Sequence, residues 1–244
     1  IKNKKEFSDI EDEFITELLY NKINDKDLIR IVEHPKPEKS KEFKKSLKSI
    51  RKILHEVYGV FNIGKNRTKL LKELENEVKK SDMINEKIKT IHLELLKTHK
   101  STVERINSYE KIYNKIFNNL NPKSILDLSS GLNPISYPWM NLDKINYIAT
   151  ELNDNDVNLL NKYFDLMRKF GLNGKAINLN LLKIKKLLKT DICFIFKTLD
   201  SLETLISGIT KDILDKINSK IIVVSFPTKT LSGKVLSKRS LAWF

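Results

Sequence analysis

Phe43, Leu47, Ile50, Leu54, Val57 and Phe61 follow one another at intervals of three and four, which puts all six on one face of a helix. The lysines at 41, 44, 45, 48 and 52 fall mostly off that face, so this helix packs on one side and shows positive charge on the other. Before it, Phe14, Leu18 and Leu19, then Leu28, Ile29 and Ile31, predict two shorter helices, and Pro35 and Pro37 break the chain. Residues 70–80 and 84–96 predict two more. Ser101-Thr102-Val103-Glu104 has the spacing of a capping box, so a further helix is expected from near Ser101 to about Asn119. No strand signal of any strength precedes Pro122.

After Pro122 the period changes. Short apolar runs at 124–128, 145–150, 176–181, 192–196 and 221–226 alternate with helical stretches near 156–170 and 202–217. Continuous apolar strands separated by helices imply a parallel sheet covered on both faces. The expected fold class is therefore α/β, a doubly wound domain over residues 101–244 preceded by an all-α region over residues 1–100. Its ligand belongs at the carboxyl ends of the strands.

The first of those ends is the most informative. Asp127 closes the strand, Ser129 and Ser130 follow, and Gly131 stands where backbone must approach a ligand. Glu151 closes the second strand, where an acid commonly accepts hydrogen bonds from ribose hydroxyls. A dinucleotide site would carry several glycines for close approach to a pyrophosphate. One glycine suits a cofactor without phosphate, and S-adenosylmethionine has an adenosine and an amino-acid end only.

Charge narrows the partner. Net charge is +14, and it is uneven. Lys41 to Lys72 holds ten Lys and Arg against two acids, and Ser219 to Phe244 holds five against none. The rest of the chain is nearly neutral, a pattern that points to a polyanion. No run reaches the roughly 18 apolar residues of a membrane span. The N-terminal stretch is charged throughout, so a cytoplasmic protein is expected. The four histidines, His34, His55, His92 and His99, lack metal-ligand spacing, and no metal is expected. Cys193, the lone cysteine, lies in an apolar strand and is assigned to the core.

Longer motifs add a resemblance. Gly131-Leu132-Asn133-Pro134 with Pro138-Trp139-Met140, the element His99-Lys100-Ser101-Thr102-Val103-Glu104-Arg105, the strand end Ile195-Phe196-Lys197, and the loop from Ser225-Phe226-Pro227-Thr228-Lys229 to Gly233-Lys234 occur in one order. Together they resemble the aminoglycoside-resistance 16S rRNA (guanine-N7) methyltransferases. The resemblance implies a Rossmann-like S-adenosylmethionine-dependent domain behind a helical domain that grips the small ribosomal subunit. It implies Arg105 on the cofactor's carboxylate, Asp127, Ser129, Ser130 and Gly131 around its methionine end, Glu151 on the ribose and Asn180 near the adenine. Ser129, Ser130, Glu151 and Asn180 depart from the family's usual residues at those places. The family continues past a Trp-Phe pair into two more strands, and this sequence ends at that pair, Trp243-Phe244.

RNA contacts are expected from Lys44, Lys48 and Arg51 on the basic helix, from Lys197, and from Lys229 and Lys234. Tyr137 and Trp139 are candidates for stacking on the target base or, equally, for packing in the core. Guanine N7 carries a free lone pair, so no general base is assigned. The expected partner is the small subunit and its 16S rRNA, approached by a monomer. A non-catalytic RNA-binding or ribosome-assembly protein with this fold, or a methyltransferase for another RNA, are the alternatives.

Overall fold

The computed structural model describes residues 12–54 and 66–227. Its centre is a five-stranded sheet of β1 (Ser124–Leu128), β2 (Ile145–Glu151), β3 (Leu172–Asn178), β4 (Thr190–Phe196) and β5 (Ser219–Ser225). All pairings are parallel, in the order β3-β2-β1-β4-β5. Strand order reverses between β1 and β4, so the crevice at their carboxyl ends is open for a ligand.

Ten helices surround the sheet among the described residues: α1 (Asp12–Lys22), α2 (Asp25–Val32), α3 (Lys41–Leu54), α4 (Arg67–Lys79), α5 (Glu86–Leu96), α6 (Lys100–Val103), α7 (Tyr109–Phe117), α8 (Asp154–Met167), α9 (Leu199–Leu205) and α10 (Ile209–Leu214). Asn24, Asn66, Asn85 and Asn153 start α2, α4, α5 and α8, each side chain accepting from an amide of the first turn.

Side chains of a strand point alternately to its two faces, and here each face has its own apolar layer. Ile125, Tyr147, Ala149 and Phe194 pack with Leu74 and Val78 of α4, Ile88 and Leu95 of α5, Tyr113 of α7 and Phe164 of α8. Leu126, Leu128, Cys193 and Ile195 pack with Leu18 of α1, Ile50 and Leu54 of α3, Leu199 of α9 and Ile213 of α10. The helices that precede the sheet therefore share its cores. Ile50 and Leu54 are fully buried, as the helical spacing of α3 requires. Val57 and Phe61 lie outside the described residues.

Three elements differ from the sequence expectation. The third strand runs from Leu172 to Asn178, not from 176 to 181. It is an edge strand, so Asn173 and Lys175 can be exposed and its first half carries no apolar run. The stretch expected to be one helix from Ser101 is broken. His99, not Ser101, stands at the N-cap of α6, and the Ser101 hydroxyl bonds His99 Nδ1 at 2.9 Å instead of capping. A bend at Arg105 then separates α6 from α7. The last helix is also two, α9 and α10, because Gly208 takes a left-handed φ of 84° between them.

At the opposite end of the sheet, Asp191 accepts from the amides of Lys123 and Ser124 and pairs with Lys220 at 2.6 Å. These bonds tie the starts of β1, β4 and β5 together and hold its carboxyl down at about 2.

Gly174 on β3 faces the ring of Phe164: a Cβ there would lie 2.0 Å from Cδ1. Gly174→Ala is expected to cost about 1–3 kcal/mol in denaturant unfolding by overpacking. The cost should shrink when Phe164→Leu is also present, because the two side chains compete for one space.

Candidate functional site

β1 ends at Leu128, and the chain turns away through Ser129 at a left-handed φ of 51°. The turn is latched to the end of β2. Ser129 N–H donates to Thr150 Oγ1 at 3.1 Å, Ser130 N–H to the Thr150 carbonyl at 2.9 Å, and Gly131 N–H to Glu151 Oε1 at 2.6 Å. Gly131 is also left-handed, at φ 52°, and a Cβ there would meet the His99 ring at 2.8 Å. Glycine is required on both counts. A 3-10 turn over Asn133–Trp139 follows, with Pro134 as its second residue.

Asn133 joins the loop to the rest of the site. Its Nδ2 donates to Asp127 Oδ2 at 2.9 Å, and its Oδ1 lies 3.5 Å from Arg105 Nη2 and accepts from Tyr113 Oη at 3.4 Å. Tyr147 Oη donates to the same Asp127 oxygen at 2.6 Å. Asp127 is 1% exposed, Asn133 1% and Arg105 9%. The Arg105 guanidinium lies between the rings of Tyr109 and Phe196, 5.9 and 5.3 Å from their centroids. The bend between α6 and α7 carries Arg105 into this slot.

Asp127 Oδ1 and Arg105 Nε and Nη1 are buried without a hydrogen-bond partner. Buried polar atoms left unpaired ask for a ligand. An unsatisfied carboxylate oxygen close to an unsatisfied guanidinium suits a group with one positive and one negative end. An α-amino acid zwitterion has that form, and the methionine end of S-adenosylmethionine fits it.

Burial sets the local electrostatics. It pushes Asp127 up to about 6, against the opposing bonds from Tyr147 and Asn133 and the charge of Arg105. Burial, with the Asp156 carboxylate, pushes Glu151 up to about 7. His99, covered and beside Arg67 and Arg105, is held down at about 3 and is neutral.

The structure thus brings Arg105, Asp127, Ser129, Ser130, Gly131 and Glu151 to one crevice. Asn180 follows β3 at the same end of the sheet, where its side chain caps the 3-10 turn Leu181–Lys183 by accepting from Leu182 N–H at 2.9 Å. Lys197 leaves β4 at φ 58°, its N–H bonded to the Ser225 carbonyl at 2.8 Å, and its ammonium pairs with Glu104. Lys44, Lys48 and Arg51, with Leu47, line a shallow depression on α3, in the layer across the sheet from Asp127. Lys229 and Lys234 lie outside the described residues. Among the described residues no cluster could hold a metal and no helix is long and apolar enough to cross a membrane.

For Tyr137 and Trp139 the structure favours core packing over base stacking, and it withdraws Arg67 from the basic surface. Tyr137 is not available to stack on a base: it is 3% exposed, and its hydroxyl donates to the carbonyls of Leu142 and Phe170. Trp139 packs along the Tyr109 ring at 6.2 Å, against the core. Arg67, counted among the surface cations, clamps Thr98 and pairs with Asp156 at 2.7 Å. The sequence reading also passed over Asn133, Tyr113, Tyr147 and Thr150 as site residues. Asn133 lies within the motif Gly131-Leu132-Asn133-Pro134, and periodicity does not reveal that its side chain turns inward to Asp127.

The chain matches the family model described as ribosomal RNA methyltransferase (FmrO) over residues 19–240. A 16S rRNA (guanine(1405)-N(7))-methyltransferase of Micromonospora rosea is 33% identical over 193 residues, 78% of this chain and 69% of that protein. One of the same name from Proteus mirabilis is 28% identical over 198 residues, 77% and 69% of the two chains. The solved structure of the 16S rRNA methyltransferase RmtF with S-adenosyl-L-homocysteine superposes with a TM-score of 0.72 at 23% identity, over 100% of this chain and 85% of the other. That of the 16S rRNA methylase ArmA gives 0.51 at 28% identity, over 74% and 85%.

Glu151 yields a pH dependence of the ligand-free protein. Its folded pKa of about 7 lies above the ordinary 4.5, so its neutral form is the stable one in the fold. Stability is therefore greatest below about 4.5 as far as this group is concerned and falls as pH rises through 7. Glu151→Gln is expected to flatten that fall between pH 5 and 8 in thermal unfolding.

Proposed function

This chain belongs to the ribosomal RNA methyltransferase (FmrO) family, and from that premise we propose that it transfers the methyl group of S-adenosylmethionine to N7 of a guanine in small-subunit 16S rRNA. The pair of unsatisfied buried groups, Arg105 and Asp127, carries the proposal, because together they match a zwitterionic amino-acid end. S-adenosylmethionine supplies an electrophilic methyl when bound. Arg105 would hold its carboxylate and Asp127 its ammonium group. Amide and hydroxyl groups of Ser129, Ser130 and Gly131 would line its path, Glu151 would accept from the ribose, and Asn180 would bond the adenine edge.

Guanine N7 attacks with a lone pair it already has, so the protein has no proton to remove. Its contribution is alignment of N7 with the methyl carbon, and exclusion of water by the aromatic wall of Tyr109, Trp139 and Phe196. The base must leave its stack to reach the crevice. Lys197 faces that approach. Lys44, Lys48 and Arg51 would dock on rRNA phosphates, by shape and charge rather than base identity, with Lys229 and Lys234 adding to the grip. We place the protein in the cytoplasm, acting as a monomer.

Two outcomes are expected. Arg105→Met should lower affinity for S-adenosylmethionine at least tenfold in calorimetry while the fold survives, since it removes the carboxylate's partner. Reversing charge at Lys44, Lys48 and Arg51 together should abolish small-subunit binding and leave cofactor affinity unchanged. Transfer of labelled methyl to purified small subunits, followed by mapping of the modified nucleotide, tests the reaction; subunits left unlabelled would refute it.

A further inference from the structure

Glu104 and Lys197 form an ion pair at the carboxyl end of β4. Glu104 immediately precedes Arg105, and Lys197 immediately follows Phe196, whose ring lies against the Arg105 guanidinium. The Glu104 side chain is 52% exposed and that of Lys197 18%. Lys197 keeps a left-handed backbone, an arrangement with a cost that a solvated lysine has no reason to bear. Its amide is fixed to β5 through the Ser225 carbonyl, and the Ser225 hydroxyl beside it is buried without a partner. The site so described is a carboxylate and an ammonium held side by side on two different elements, each next in sequence to Arg105 or Phe196.

We propose that Glu104 and Lys197 recognise the target base as guanine, an inference that rests on the methyltransferase reading of the site. When N7 of guanine points at the methyl group, O6 lies beside it on the same edge. N1–H and the 2-amino group follow O6 along the neighbouring edge. The base therefore offers an acceptor and then two adjacent donors. An ammonium matches O6, and a carboxylate matches N1–H and N2–H together. Lys197 and Glu104 supply those two groups in adjacent positions.

Within the protein the Glu104 carboxylate answers the Lys197 ammonium, with the Asp200 carboxylate also near that ammonium. A partly exposed ion pair adds little stability, so opening it for the base costs little. Both partners then bond the base in place of one another, and no proton moves. Adenine has a donor in place of O6 and an acceptor at N1, which sets like against like at both residues. Glu104 is thus a specificity residue, distinct from Arg105, which serves the cofactor.

Small subunits reassembled with guanine or inosine at the methylated position test this, because inosine lacks only the 2-amino group. The wild-type protein is expected to lose roughly tenfold in kcat/KM on inosine. Glu104→Ala should lose roughly tenfold to a hundredfold on guanine and then treat the two bases alike. Glu104→Gln, which retains one acceptor, should recover part of the rate on guanine. Lys197→Met should lose rate on both bases equally, since both carry O6. Affinity for S-adenosylmethionine should stay within about twofold for both Glu104 variants. The proposal is overturned if Glu104→Ala keeps its full rate on guanine, keeps the preference for guanine over inosine, or loses cofactor affinity with its activity. A wild-type protein that methylates neither substrate overturns the methyltransferase reading, and this proposal with it.

Discussion

The amide of Asn133 lies between a buried cation and a buried carboxylate, and the crevice takes its shape from that placement. A side-chain amide donates at one atom and accepts at another, so it can face Asp127 and Arg105 at once. An aspartate in its place would repel Asp127, and an apolar residue would leave both neighbours short of a partner. Asn133 also donates its backbone N–H to the Ser130 carbonyl, which closes the loop on itself. With Thr150 and Glu151 holding the amides of Ser129, Ser130 and Gly131, the loop, the pose of Arg105 and the direction of Asp127 are mechanically one object.

The strands most legible in the sequence are those buried on both faces. β1, β2 and β4 read as near-continuous apolar runs because helices cover them above and below. β3 lies at the edge, alternates with Asn173 and Lys175, and so its apolar tail at 176–181 misplaces it. The break at Arg105 is invisible to periodicity, since local spacing around Ser101 and Glu104 satisfies a helix start. Tertiary demand decides there: the guanidinium must enter the slot between Tyr109 and Phe196. At the site, Asp127, Gly131 and Glu151 were legible because a strand-ending acid and a glycine have few other uses at that place. Tyr147 and Tyr113 were not, because an aromatic residue in an apolar run reads as core until its hydroxyl is seen to reach Asp127 or Ser136.

The basic region of the sequence is not uniformly basic in the fold. On α4 and α5 the lysines are answered by glutamates one turn away, as in Lys79 with Glu75, Lys89 with Glu86 and Lys97 with Glu94. Arg67 is consumed by Thr98 and Asp156. On α3, Glu42 is the single acid beside Lys41, Lys44, Lys45, Lys48, Arg51 and Lys52. Positive potential is therefore concentrated there, while the apolar face of the same helix anchors it through Ile50 and Leu54. The anchoring makes the charged face a fixed surface, which suits recognition of a folded polyanion by shape.

The buried polar atoms of the crevice oppose folding. A buried polar atom without a partner costs about 1–3 kcal/mol, and Asp127 and Arg105 hold three such atoms between them. Glu151 adds a carboxyl whose charge burial opposes. A ligand that satisfies these atoms stabilises the folded state by the same contacts through which it binds, so folding and cofactor affinity are linked. The signs of the groups also select the ligand. A pyrophosphate would bring negative charge against Asp127 and Glu151 with one guanidinium to offset it. A cofactor with an ammonium, a carboxylate and a neutral ribose would meet each group with its complement.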